Sequence, residues 1–157
     1  MRTIETTVYT FDELSEEAKE KARAWYREGA LDCDWYDSVY EDAKAIAELM
    51  GIDIDRIYFS GFWSQGDGAC FTGRYSYRKG SVREVKEYAP KDEELHRIAR
   101  ELARIQKAQF YGISASISQS GHYYHEMTMN IDIYMDSRYS IDAENDLTEA
   151  LRDFARW

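Results

Sequence analysis

Between Phe110 and Met135 the side chains alternate in polarity for longer than any motif other than a half-buried β-hairpin accommodates. In the second arm Tyr123, His125, Met127, Met129, Ile131, Ile133 and Met135 fall on one side of an extended chain. His122, Tyr124, Glu126, Thr128, Asn130, Asp132 and Tyr134 fall on the other. The first arm sorts Ile113, Ala115 and Ile117 against Ser114, Ser116 and Ser118. Directly opposed residues of an antiparallel pair share a face, so the serines must meet the polar set. A Gln119-Ser120-Gly121 loop does this by pairing Ser118 with His122 and Ser116 with Tyr124, with Gly121 supplying the left-handed position.

The rest of the chain divides around this hairpin. Residues 2–9 alternate and are β-branched, which predicts a first strand. Thr10 and Glu13 form a capping box, and Phe11, Leu14, Ala18, Ala22 and Trp25 then keep a helical stripe until Gly29. A second helix from about Trp35 places Val39, Ala43, Ile46 and Met50 inward and stops at Gly51. Arg56 to Trp63 and Ala69 to Tyr77 read as another hairpin, joined by Ser64-Gln65-Gly66-Asp67-Gly68. Ser81 with Glu84 is a second capping box, opening a short helix that must end before Pro90. Asp92 caps a longer helix with Leu95, Ile98, Leu102 and Ile105 inward, and a last helix from about Asp142 buries Leu147, Leu151 and Phe154. Strand pairs with tight turns and helices between them predict one α+β domain over residues 1–157. It has a mainly antiparallel sheet of about five strands, made of two hairpins and the N-terminal strand, with helices on one face.

Thirty acids against twenty bases leave a formal charge of −10, which disfavours direct nucleic-acid or anionic-membrane binding and suits a basic protein partner. Residues 61–107 break this trend, with ten bases against seven acids. Two cysteines make neither a disulfide framework nor a zinc site, and no apolar run of membrane-spanning length is present, so a cytoplasmic protein is expected.

Two surfaces stand out as candidate sites. The first joins the acidic, aromatic helices to the second hairpin's loop: Asp34, Trp35, Asp37, Glu41, Asp42, Phe62, Trp63, Gln65 and Asp67. Carboxylates with aromatic support dock on basic surfaces or imitate phosphates. The second is the polar face of the long hairpin, Ser116, Ser118, Gln119, His122, Tyr124 and Glu126, suited to a small molecule or nucleotide, or to hydrolytic chemistry. On a strand His122 and His125 point to opposite faces, so no metal site is assigned; a wet hairpin tip offers a serine nucleophile no oxyanion hole, so no catalytic residue is assigned, and no cofactor is expected. Arg97, Arg100, Arg104 and Lys107 form a basic stripe that offers a DNA-binding alternative.

The run Ile57-Tyr58-Phe59-Ser60-Gly61-Phe62-Trp63-Ser64-Gln65-Gly66-Asp67-Gly68-Ala69-Cys70-Phe71, with Ser120-Gly121-His122-Tyr123-Tyr124-His125, resembles a family of small acidic phage and prophage proteins. Its members carry the label "antitoxin of a toxin–antitoxin stability system". The resemblance extends to Trp25-Tyr26 and to Leu147–Trp157. It implies a phage-borne accessory protein in a bacterial cytoplasm. Such a protein is expected to be non-enzymatic, binding and inhibiting a host protein as an anti-defence inhibitor, such as an anti-CRISPR, or as an antitoxin does.

Overall fold

Four strands pair antiparallel in chain order: β1 (Ile52–Phe59), β2 (Ala69–Tyr75), β3 (Ile113–Gln119) and β4 (Met129–Met135). The structure is a computed structural model that describes residues 8–29, 36–61, 66–135 and 141–157, Ile141 by its backbone alone. It separates into two compact units, Met1–Asp37 and Ser38–Trp157.

In the first unit Thr10 donates from its backbone N and from Oγ1 to Glu13 at 2.8 and 2.9 Å, so the expected box closes a single 3₁₀ turn, Phe11–Glu13. Helix α1 (Glu16–Gly29) starts afresh, with Ala18 N donating to Ser15 Oγ. Its surface is laced by pairs three or four residues apart, such as Lys21 with Glu17. The predicted stripe is only half realised: Leu14, Ala18 and Ala22 are partly buried, whereas Trp25 is 75% exposed. Of the expected first strand, residues 2–7 lie outside the described residues, and Val8 and Tyr9 belong to no strand.

In the second unit α2 (Tyr36–Met50) enters the core with its C-terminal half, Ile46, Ala47 and Met50, while Val39, expected inward, is 54% exposed. The β1–β2 ladder pairs Ile52 with Tyr75 and Phe59 with Ala69, and shifts register between Ile54 and Arg56. A Cβ at Gly73 would lie 2.0 Å from Asp53 O, so only glycine fits there. Helix α3 (Ser81–Tyr88) is capped by Gly80 in the left-handed region, not by Ser81, which is its first helical residue; the second expected capping box is absent. Helix α4 (Glu93–Ala108) is capped as expected, Asp92 Oδ1 accepting from Leu95 N at 2.9 Å.

The long hairpin keeps its faces but not its register. Ser118 pairs with Asn130, Ser116 with Asp132 and Ser114 with Tyr134, so residues 120–128 form a loop ending in a 3₁₀ turn, Glu126–Thr128. The shift from His122 to Asn130 is even, and therefore leaves every residue that remains in the two strands on its predicted side. Burial selects it. The tight loop would have set Ile117, Ala115 and Ile113 against Tyr123, His125 and Met127. The observed ladder sets them against Ile131, Ile133 and Met135, all packed on the core.

Leu95, Ile98, Leu102 and Ile105 of α4 and Leu147, Leu151 and Phe154 of α5 (Ile141–Arg156) share one buried cluster with Phe71, Tyr75, Ile113, Ala115 and Ile117 of the sheet. On the opposite face Asp53, Arg74, Ser116 and Asp132 stand in one cross-strand row, and Asp53, Arg74 and Asp132 are exposed. The architecture is α+β with four described strands, one fewer than expected, because the N-terminal strand is not among them.

Candidate functional site

The two hairpin loops meet. A Cβ at Gly66 would lie 2.8 Å from Cδ1 of Tyr123, and one at Gly68 3.1 Å from the carbonyl oxygen of Tyr124. The end of the β1–β2 loop therefore rests against the β3–β4 loop, and Ser60 N closes the former by donating to Gly68 O at 3.0 Å. Beside this junction the rings of Tyr58 and Tyr124 lie 5.3 Å apart, and the Arg56 guanidinium sits 4.8 Å over Tyr58. Tyr123, at the junction, and Met127, further along the same loop, are both 60% exposed.

The long loop is held by its own polar groups. Gln119 Nε2 donates to Gly121 O and Tyr123 O, Asn130 Nδ2 donates to Ser120 Oγ, and His125 Nδ1 accepts from Met127 N at 3.2 Å. Glu126 is anchored to α5 by Arg156 at 3.2 Å.

The expected polar-face set is thus distributed differently from the strand picture. Ser116 and Ser118 stand on β3 opposite Asp132 and Asn130, while His122, Tyr124 and Glu126 belong to the loop. His122 and His125 are not on a strand, so the argument from opposite faces does not apply to them. Among the described residues no group of three or more His, Cys, Asp or Glu is placed to hold a metal ion.

Of the acidic and aromatic set, Asp34, Trp35, Phe62, Trp63 and Gln65 lie outside the described residues. Asp37 is exposed in the first turn of α2. Glu41 and Asp42 are exposed further along, and Asp42 accepts a 2.6 Å hydrogen bond from Tyr88 Oη of α3. Asp67 is half-buried in the loop junction.

The basic stripe of α4 is largely committed to structure. Arg97 pairs with Glu94 and with Asp153 of α5, and Arg104 with Glu101 and with Asp146 of α5. Lys107 points elsewhere, into an open groove of about 570 Å³ at the ends of α3 and α4, with Tyr77, Ser81, Lys86 and Tyr111 among its walls. The ring centroids of Tyr77 and Tyr111 lie 4.5 Å apart, with the rings tilted 40° to one another. The backbone there is unusual, since Phe110 (φ 53°) and Tyr111 (φ 63°) are successive left-handed residues without glycine. Tyr111 N donates to Gln106 O at 2.7 Å, which fixes the turn. Sequence reasoning did not assemble this groove; its signal was the excess of bases over residues 61–107.

Residues 35–157 match a family described as a domain of unknown function, DUF8835. The chain belongs to this family. The DUF8835 span contains the whole sheet, α2 to α5, the loop junction and the groove. No curated protein and no solved structure matches the chain. Among the described residues of this DUF8835 protein no helix is long and apolar enough to cross a membrane.

Proposed function

We propose that this DUF8835 protein is a non-enzymatic accessory protein of a phage or prophage that binds a bacterial protein in the host cytoplasm and inhibits it by covering part of its surface. The observation that carries the reading is the loop junction. Two separate loops are packed against one another next to the Arg56–Tyr58–Tyr124 cluster, and the longer of them exposes Tyr123 and Met127. Tyrosine, methionine and arginine concentrate at the centres of protein interfaces, where flat or adaptable side chains bury much area at small entropic cost. Exposed Glu41 and Asp42 favour a basic surface on the partner, and the phage setting rests on the resemblance of the sequence.

Capture of host proteins on the immobilised chain tests this reading, with the wild type compared against Met127→Asp and against Glu41→Lys with Asp42→Lys. The expected result is a discrete partner that is lost with Met127→Asp and weakened, more so at low salt, by the double charge reversal. A partner retained by all variants removes both surfaces from consideration.

A further inference from the structure

A chain with a net charge of −10 does not gather unpaired bases in a concavity without consequence. The groove between α3 and α4 has Lys86 on one wall and Lys107 on the other, and neither has an ion pair among the described residues. Arg83 adds a third cation, whose contact with Glu87 is an exposed one at 3.6 Å. Glu84, close to Gly80 at the start of α3, is ion-paired with Arg78 at 3.2 Å through Oε2, although that oxygen is buried without a hydrogen bond. Arg78 is itself held to the carbonyl of Glu48 at 2.9 Å, so it braces the wall and leaves the lysines as surplus charge.

The floor points to an anion as well. Helix α3 begins at the groove with Gly80, whose left-handed conformation provides no side-chain cap, so the first amides of the helix face outward beside Ser81 and Val82. Ser81, the first residue of α3, lines the groove, and its hydroxyl makes no hydrogen bond among the described residues. On the groove wall the Tyr77 and Tyr111 rings, tilted 40° to one another, offer half-exposed aromatic surface, and Tyr111 and its neighbour Phe110 are held in a conformation that aromatic residues rarely adopt.

We infer that this groove is a binding site for a nucleoside di- or triphosphate, with the phosphates on Ser81, Lys86, Lys107 and the start of α3, and the base against the Tyr77–Tyr111 pair. Its size is that of a site for a ligand of a few hundred daltons, and aromatic stacking with nearby cations recognises a base together with its phosphates. The inference is independent of the loop junction and of any protein partner.

Calorimetric titration of the full chain with ADP, ATP, pyrophosphate and a short oligothymidylate tests it. ADP or ATP is expected to bind, more weakly as salt rises. Lys86→Glu with Lys107→Glu, both at exposed positions, is expected to weaken binding by at least about tenfold. Tyr111→Asn keeps a residue that tolerates the left-handed region, and is expected to weaken ATP while leaving pyrophosphate unchanged. Thermal melts establish that each variant is folded. Failure of ADP and ATP to bind, or binding unaffected by the lysine reversals, overturns the site. Equal affinity for pyrophosphate and ATP overturns the role of the rings, and binding of the oligonucleotide without the mononucleotides overturns the ligand class in favour of a strand.

Discussion

The indole Nε1 of Trp157 donates to Oδ2 of Asp92 at 2.8 Å, so the residue at the end of α5 is tied to the N-cap of α4. The other oxygen of the same carboxylate accepts from Leu95 N. Asp92 thereby satisfies an otherwise unpaired amide of one helix while fixing the end of another.

Replacing Asp92 with Ala is expected to cost about 1 kcal/mol, the usual value of a helix cap. The backbone N–H of Leu95, and after it the Trp157 indole, hold the Asp92 carboxyl below its ordinary range. A lowered native value means that the contribution is present above the unfolded pKa of about 3.9 and is lost as pH falls through the native one. Urea titrations of wild type and Asp92→Ala should therefore differ at pH 7, and the gap should close once the pH falls below the native pKa of Asp92. A gap that persists in acid would show that the carboxylate is not the source.

The register of the long hairpin makes opposite claims about two methionines. Met129 is 1% exposed and Met127 60% exposed, although alternation put both on the greasy face. Met129→Ala is expected to cost about 2–5 kcal/mol. Met127→Ser should change stability by no more than about 0.5 kcal/mol. Equal penalties in chemical denaturation would restore the tight Gln119–Gly121 loop.

Gly73→Ala places a methyl group where Asp53 O already stands. The β1–β2 ladder must then separate next to its register shift, at an expected cost of about 2 kcal/mol or more. Hydrogen exchange of the β1 and β2 amides locates the damage, and protection indistinguishable from wild type contradicts the close approach.

Burial pushes the Tyr75 hydroxyl up to about 12, against which a hydrogen bond from Gln106 acts in the lowering direction. Since the unfolded phenol ionises near 10, the folded state binds its proton more tightly, and stability falls as pH rises above about 10. Tyr75→Phe should flatten that alkaline fall relative to wild type. An identical slope in melts between pH 10 and 12 would assign the loss to other groups.

Much of the fold was readable because its signals are periodic. Leu95, Ile98, Leu102 and Ile105 announced the buried face of α4, and Asp92 its start. The β3–β4 register escaped because alternation has a period of two, so any even displacement fits it equally well, and only the tally of buried side chains distinguishes Asn130 from His122 as the partner of Ser118. The start of β1 at Ile52, four residues before the expected Arg56, was hidden for a related reason. The register shift between Ile54 and Arg56 changes the phase of alternation, so Ile52 and Ile54 no longer match Ile57 and Phe59. The loop junction was not legible, and the groove showed only as an excess of bases over residues 61–107. Each joins segments far apart in sequence, Gly66 with Tyr123 and Tyr77 with Tyr111, and neither side carries a motif without the other.

Among the described strands β1 and β4 are the outer members of the sheet, and each brings carboxylates, Asp53 and Asp55 on one and Asp132 on the other. An unpaired strand invites another copy to extend the sheet, and acids along both borders, with a bend built into one of them, set like charges against any newcomer. The same residues that decorate the outer strands therefore oppose edge-to-edge polymerisation, allowing the protein to accumulate without aggregating through its sheet.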